Sequence, residues 1–272
     1  MSAFAPSSYA DGHILATRRP PVMTIVLNSP ETRNAFNRDG ARALADAMRA
    51  AEEDPEIRAV VITGNGGNFC SGADMQDIAS QAEHFPWAGK AGPLHERLTK
   101  PTIAAIEGYA SAEGLGLALL CDIRIVDQTA TFGVFARRLG IAGDGTAARL
   151  PGIVGITQAM DILLTGRAIG CDRALAIGLA SRKVANGTTR VAAEKLAQEI
   201  AGFAPMAIAV DRETAYAAHE GDVNVAVTGE VRASHEVFAT EGLPGVTELL
   251  GVERPAARLL AVVGAAPAGK AA

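Results

Sequence analysis

Two short stretches carry residues of the size and spacing that acyl chemistry needs. "FCSGAD" (69–74) follows the apolar run Ala59–Thr63 after the short loop "GNGGN", "GYASAEGLG" (108–116) follows "PTIAAIE", and each opens onto a helical pattern. A helix start exposes main-chain N–H groups with no acceptor inside the helix and carries partial positive charge. Two such N–H groups, offered by separate turns, can stabilise a developing oxyanion. Small residues at these positions let a ligand approach the backbone. The same glycines also serve ordinary strand-to-helix turn geometry, so the turns alone leave both readings open. Other chemistries fail on spacing. "GNGGNF" (64–69) lacks the Lys-Ser/Thr pair of a phosphate-binding loop. "EGLGLALL" (113–120) lacks the third glycine of a dinucleotide fingerprint, and no Gly-x-Ser-x-Gly elbow occurs. The five histidines show no metal-type spacing, so no metal is expected.

These turns must be positioned by regular elements. Residues 13–28, "HILATRRPPVMTIVLN", read as two short strands joined by Arg-Arg-Pro-Pro. A helix follows "SPETRNAFN", with Ala41, Leu44, Ala45 and Met48 at i, i+3, i+4 and i+7 and a stop at Asp54-Pro55. "RAVVIT" (58–63), "PTIAAIEG" (101–108), "CDIRIVD" (121–127) and "ATFGVF" (130–135) read as strands. "YASAEGLGLALL" (109–120) turns into a helix. Residues 80–100, with the single tryptophan, form a long irregular segment of the kind that covers a binding site. "LGIAGDGTAARLPGIVG" (139–155) reads as glycine-punctuated loop leading to an amphipathic helix near Thr157–Leu164. Strands and helices alternate up to about residue 186, which argues for an α/β fold, and helices alone follow. Ala192, Ala193, Leu196, Ala197 and Ile200 mark the first of these, and "PMAIAVDRETAYAAHE" (205–220) the next.

Composition bounds the partners. The chain has 272 residues, about half of them hydrophobic and a fifth charged, which suits a soluble protein with one large core. Net charge is −5 and no basic stripe occurs, so no nucleic acid is expected. The apolar runs are too short and too interrupted for a membrane span. "MSAFAPSSYADGH" has neither a basic nor an apolar leader region. Cys70, Cys121 and Cys171 are scattered and odd in number and read as reduced thiols, so a cytoplasmic location is expected.

Four ordered stretches carry a family resemblance: "TIVLNSPETRNAFN", "VVITGNGGNFCSGADMQDI", "KPTIAAIEGYASAEGLGLALLCDIRIVD" and "ATFGVFARRLGIAGDGTAARLPGIVG". Together they resemble the crotonase, or enoyl-CoA hydratase/isomerase, superfamily over roughly residues 12–260. The resemblance implies a crotonase-like spiral core of repeated ββα turns over 1–186 and a helical trimerisation region over 187–264; the last residues, "AAPAGKAA" (265–272), read as a flexible tail. The resemblance also implies a homotrimer or hexamer and an acyl-CoA thioester substrate. No cofactor is expected, because coenzyme A belongs to the substrate.

Carried over residue by residue, the resemblance puts one oxyanion donor on the N–H of Ala73 and the other on the N–H of Glu113, where the family usually has glycine. Coenzyme A is expected along Arg33, Asn34, Ala35 and the turn Ser71–Met75, which includes Asp74. Gln76 stands where hydratases often carry a lysine. Tyr109 is expected at the thioester, and Phe132 and Phe135 against apolar space, core or acyl tunnel. Family hydratases use two glutamates as acid and base; the matching positions here are Gly116 and Ala136, so Ala136 counts as a substrate-site residue only. Positioned acid and base groups supply about 10²–10⁴ in rate, and the usual hydratase mechanism does not transfer.

Two carboxylates remain in the right loops. Glu113 lies one turn from Gly116 and either reaches the space of the missing glutamate or only complements the helix dipole. Asp144 matches the aspartate some family isomerases use for proton transfer, or else caps the helix that follows. Asp122 and Arg124 read as structural, pairing within or between subunits. The nominal reaction is hydration of a 2-enoyl-CoA. The alternatives are enoyl-CoA isomerisation or thioester hydrolysis through Asp144, or binding of acyl-CoA without catalysis.

Overall fold

A strand, a second short strand and a helix recur as a unit along most of the chain. The computed structural model describes residues 6–81, Trp87, 92–135, 144–221, Ala233 and Thr240. Ala136, much of the 80–100 segment, most of the helices expected over 222–264 and the tail at 265–272 lie outside the described residues. In chain order, β1 (Ser7–Tyr9), β2 (Ile14–Arg19) and β3 (Val22–Leu27) precede α1 (Arg38–Glu53). Next, β4 (Ala59–Gly64) leads to α2 (Met75–Gln81), and β5 (Thr102–Ile106) with the short β6 (Tyr109–Ser111) leads to α3 (Glu113–Leu120). After them β7 (Ile123–Val126) and β8 (Thr131–Gly133) lead to α4 (Thr146–Val154) and α5 (Ile156–Thr165). The series ends with β9 (Ile169–Gly170), α6 (Cys171–Ala176), β10 (Arg182–Lys183) and α7 (Thr189–Ala201).

The strands form a seven-stranded sheet in the order β1-β2-β3-β4-β5-β7-β10 and a three-stranded sheet β6-β8-β9. The first three strands pair antiparallel; from β3 onward the large sheet is parallel. The residue pattern explains why both faces are covered. Val60, Ile62, Ala104 and Ile106 point to one side, Ala59, Val61, Ile103 and Ala105 to the other, and all are buried. Alternate side chains face opposite ways in a strand, so a continuous apolar run needs a cover on each face. On one face α1 supplies Ala41, Leu44, Ala47, Met48 and Ala51 to the larger cluster. On the other α7 supplies Ala193, Leu196, Ala197 and Ala201.

Helix α1 shows why the chain turns where it does. The Asn37 side chain accepts from Gly40 N at 2.7 Å and caps its start. At the far end Lys100 Nζ donates to the carbonyls of Ala51 and Asp54, at 2.7 and 2.6 Å. Of the expected face, Ala45 is only half-buried, and Ala47 and Ala51 complete the stripe.

Two expectations shift. Part of 139–155 is helix rather than loop, because Thr146, Leu150 and Val154 form a buried stripe at i, i+4 and i+8. The flanking glycines and Pro151 mask that period in the sequence. The first compact unit runs from Met1 to Gly202, past the boundary expected at 186, because α7 packs on the sheet. The second unit, Phe203–Ala272, contains α8 (Pro205–Glu220). Among the described residues no helix is long and apolar enough to cross a membrane.

Leu44 is fully buried between α1 and the sheet. Leu44→Ala is expected to lower unfolding free energy by about 2–5 kcal/mol, read as a lower urea midpoint with unchanged slope.

Candidate active site

A short backbone ladder holds the two glycine-rich turns side by side. Phe69 N donates to Glu107 O at 2.8 Å, Cys70 N to Tyr109 O at 2.8 Å and Ser111 N to Cys70 O at 3.0 Å. The Ser111 hydroxyl adds a bond to Ser71 O at 2.9 Å. This parallel contact, centred on a Cys70–Ala110 bridge, carries the first turn directly onto the start of α3. At Gly72, φ is +109°, and a Cβ there would lie 2.9 Å from both Ala112 Cβ and Glu113 Oε2. Only glycine permits that close approach.

Ala112 makes the complementary turn. It precedes α3 with φ 50° and ψ −118°, a conformation that L side chains rarely adopt and that costs about 1–3 kcal/mol where it occurs. Its N–H donates to Gly133 O at 2.9 Å, anchoring the turn to β8. The result places Glu113 as the first residue of α3, where main-chain N–H groups have no acceptor within the helix. The two expected oxyanion donors, Ala73 and Glu113, are therefore neighbours in space. The contact between them is made by a side chain: Glu113 Oε2 accepts from Ala73 N at 2.7 Å. Glu113 is almost fully buried, at 1% exposure.

That position corrects one expectation. Glu113 Oε2 lies on the Ala73 amide, and other groups fill the space beside Gly116. A Cβ on Gly116 would lie 2.1 Å from Asp144 O and 3.2 Å from Leu94 Cδ1. The chain at Asp144 and the 80–100 segment at Leu94 thus close over α3 where the family glutamate would project. Asp144 is buried, and its Oδ1 accepts from Thr146 N at 2.9 Å at the start of α4. Its capping geometry is therefore present, at a place one turn along α3 from Glu113. Among the described residues, the buried Thr146 hydroxyl beside it has no hydrogen-bond partner.

The residues expected to hold coenzyme A form one contiguous group. Ser71 N donates to Arg33 O at 3.0 Å, and Ser71 Oγ to Thr32 O at 3.0 Å, tying the first turn to residues 32–35. Arg33 is exposed and its guanidinium lies 5.4 Å from the Tyr109 ring centre. Tyr109 meets Phe135 edge-on at 6.5 Å. Ala35 is half-buried and Met75 exposed. Asp74 Oδ1 accepts from Gln76 N at 2.8 Å and caps α2. Asn34 is buried; its Oδ1 accepts from Ser29 N and its Nδ2 donates to Asn65 O and Asn68 O, at 2.7–2.9 Å. Its side chain braces the surrounding loops.

Asp122 and Arg124 act within the subunit as braces. Asp122 Oδ2 accepts from Thr102 N at 2.7 Å. Buried Arg124 donates to Leu179 O, Cys121 O and Ala118 O at 2.6, 2.7 and 3.3 Å, so a guanidinium closes the C-terminal end of α3. Phe132 is core. All three thiols are buried; burial pushes the Cys70 thiol well above its ordinary range, and the Glu113 carboxylate adds to the shift. Among the described residues no group of three His, Cys, Asp or Glu could hold a metal ion. A surface groove of about 370 Å³, lined by Tyr9, His13, Asn37, Arg42 and Asp46 among others, shares no residue with the two turns.

The geometry can be set beside known proteins. The family model described as Enoyl-CoA hydratase/isomerase matches residues 17–249. A probable enoyl-CoA hydratase of Mycobacterium tuberculosis is 34% identical over 236 residues, covering 84% of this chain and 90% of that protein. The crotonyl-CoA hydratase of Syntrophomonas wolfei is 33% identical over 236 residues, covering 84% and 91%. A crystal structure of an enoyl-CoA hydratase from M. tuberculosis superimposes with a TM-score of 0.81 at 29% identity, covering 89% of this chain and 97% of that one.

Restoring the missing glutamate should not restore a hydratase site. Gly116→Glu puts a Cβ into the Asp144 carbonyl. Such overpacking is expected to cost about 1–3 kcal/mol or more, read by urea unfolding, with no gain in turnover of crotonyl-CoA. A stable variant with raised turnover would contradict this geometry.

Proposed function

Because the chain belongs to the enoyl-CoA hydratase/isomerase family and shares the crotonase fold, we propose that it acts on an acyl-CoA thioester through an enolate. The thioester oxygen binds between the N–H groups of Ala73 and Glu113. One observation carries this reading: a carboxylate oxygen, itself an anionic acceptor, sits 2.7 Å from Ala73 N at the start of α3. The place therefore suits a negatively charged oxygen, which is what an enolate presents. Arg33, Ala35 and the Ser71–Met75 turn form the coenzyme A approach, with Tyr109 at its edge. The Arg33 guanidinium offers a cation there for phosphate.

Hydration of a 2-enoyl-CoA is the nominal reaction, supported by relatives that are named enoyl-CoA and crotonyl-CoA hydratases. Asp144 moves the proton. A second reading is favoured by Gly116, which provides no carboxylate where the family's hydratases have one. Isomerisation of a 3-enoyl-CoA removes a proton from one carbon and returns it to another, and a single base can do both.

Incubation with crotonyl-CoA is expected to bleach the enoyl absorbance. No change, together with turnover of a 3-enoyl-CoA, would replace hydration by isomerisation. Asp144→Asn is expected to lower kcat by about 10²–10⁴ with little change in KM, read from initial rates on whichever thioester is turned over. Near-normal kcat would remove Asp144 from the proton-transfer role.

A further inference from the structure

Glu113 lies on one of the two amides assigned above to the thioester oxygen. Its Oε2 accepts from Ala73 N at 2.7 Å, it is 1% exposed, and Gly72 is the residue whose lack of a side chain makes room for it. A buried carboxylate is costly unless it is hydrogen-bonded or paired. Here the bond it takes is one of the two donors that a thioester needs, and the positive end of α3 lies beside it. We propose that the Glu113 carboxylate is an internal occupant of the oxyanion hole, which an acyl-CoA thioester must displace before it can bind productively.

The inference rests on the acyl-CoA reading above and adds a competition to it. A carboxylate is the stronger acceptor: hydrogen bonds to ionised groups are roughly twice as strong as neutral ones. A ground-state thioester carbonyl is neutral and competes poorly for Ala73 N–H. An enolate oxygen carries full charge and competes on equal terms. Relative to the free protein, displacing the occupant costs both states the same free energy, so it weakens thioester binding and raises KM while kcat, set by the difference between the two states, is unchanged. Displacing it is a side-chain movement and leaves both turns in place, because the donors belong to the backbone.

The test separates the thioester from the rest of the ligand. Calorimetry with free coenzyme A and with butyryl-CoA, a saturated thioester, is run on the full chain, on Glu113→Ala and on Glu113→Gln. The expected result is a butyryl-CoA Kd tightened about tenfold or more in Glu113→Ala, a smaller gain in Glu113→Gln, and free coenzyme A unaffected throughout. Unchanged or weaker butyryl-CoA binding in both variants, with coenzyme A bound normally, would overturn the proposal. Failure of all three proteins to bind either ligand would instead overturn the acyl-CoA reading, and the inference with it. Should the variants not fold, the Ala73 amide resonance of the unaltered protein decides. It is expected to shift with butyryl-CoA and to stay in place with coenzyme A; identical responses to the two ligands sink the idea.

Discussion

Four short bonds between residues 69–71 and 107–111 do more for this molecule than their number suggests. They join the end of one strand–turn–helix unit to the next, so that two turns forty residues apart in sequence (Ala73 and Glu113) face each other. The ladder is main chain on both sides apart from Ser111 Oγ, so it depends on backbone path and only weakly on side-chain identity. The parallel sheet beneath supplies that path: β4 and β5 pair in register from Val60–Thr102 to Thr63–Ala105 and deliver the two turns to the same edge. Parallel strands with covers on both faces need apolar residues at nearly every position, which is what Ala59–Ile62 and Ile103–Ile106 provide.

The start of α3 and the loop at Asp144 fit as a pair. Gly116 lacks a side chain and the Asp144 carbonyl takes the room. Absence of the usual glutamate is therefore a packed arrangement rather than a hole in the site. Glu113 lies one turn before that contact, and Asp144 and Leu94 pack against it. Leu94 O is held in turn by Arg149 Nη2 at 2.7 Å, so α4 braces the same roof.

Much of this was readable in the residues. The period-2 and all-apolar runs gave the strands β2 to β5 and β7, the i, i+3, i+4 recurrence gave α1 and α7, and the glycine-rich turns marked the two loops in which the family resemblance picks out Ala73 and Glu113. What was hidden has physical causes. Helix α4 was masked because glycine and Pro151 read as loop, while burial of Thr146, Leu150 and Val154 overrides that local preference. The short strands β1, β9 and β10 are two or three residues long and carry no period. Side-chain direction was the larger loss. Glu113 reads the same in sequence whether it turns toward Gly116 or back to Ala73; the choice depends on Gly72 and Ala112 meeting it from forty residues away or from a strained turn. The bracing role of the Asn34 side chain is likewise visible only in its three loop bonds.

Helix α3 is buried along its entire length and gripped by charge at both ends, the Glu113 carboxylate at its start and the Arg124 guanidinium at its finish. Each charge complements the helix dipole where it sits. A rod fastened in this way has little freedom to slide or tilt. Movement beside α3 must then come from the other wall, where Leu94 and the Asp144 carbonyl meet Gly116, while the buried body of the helix stays constant.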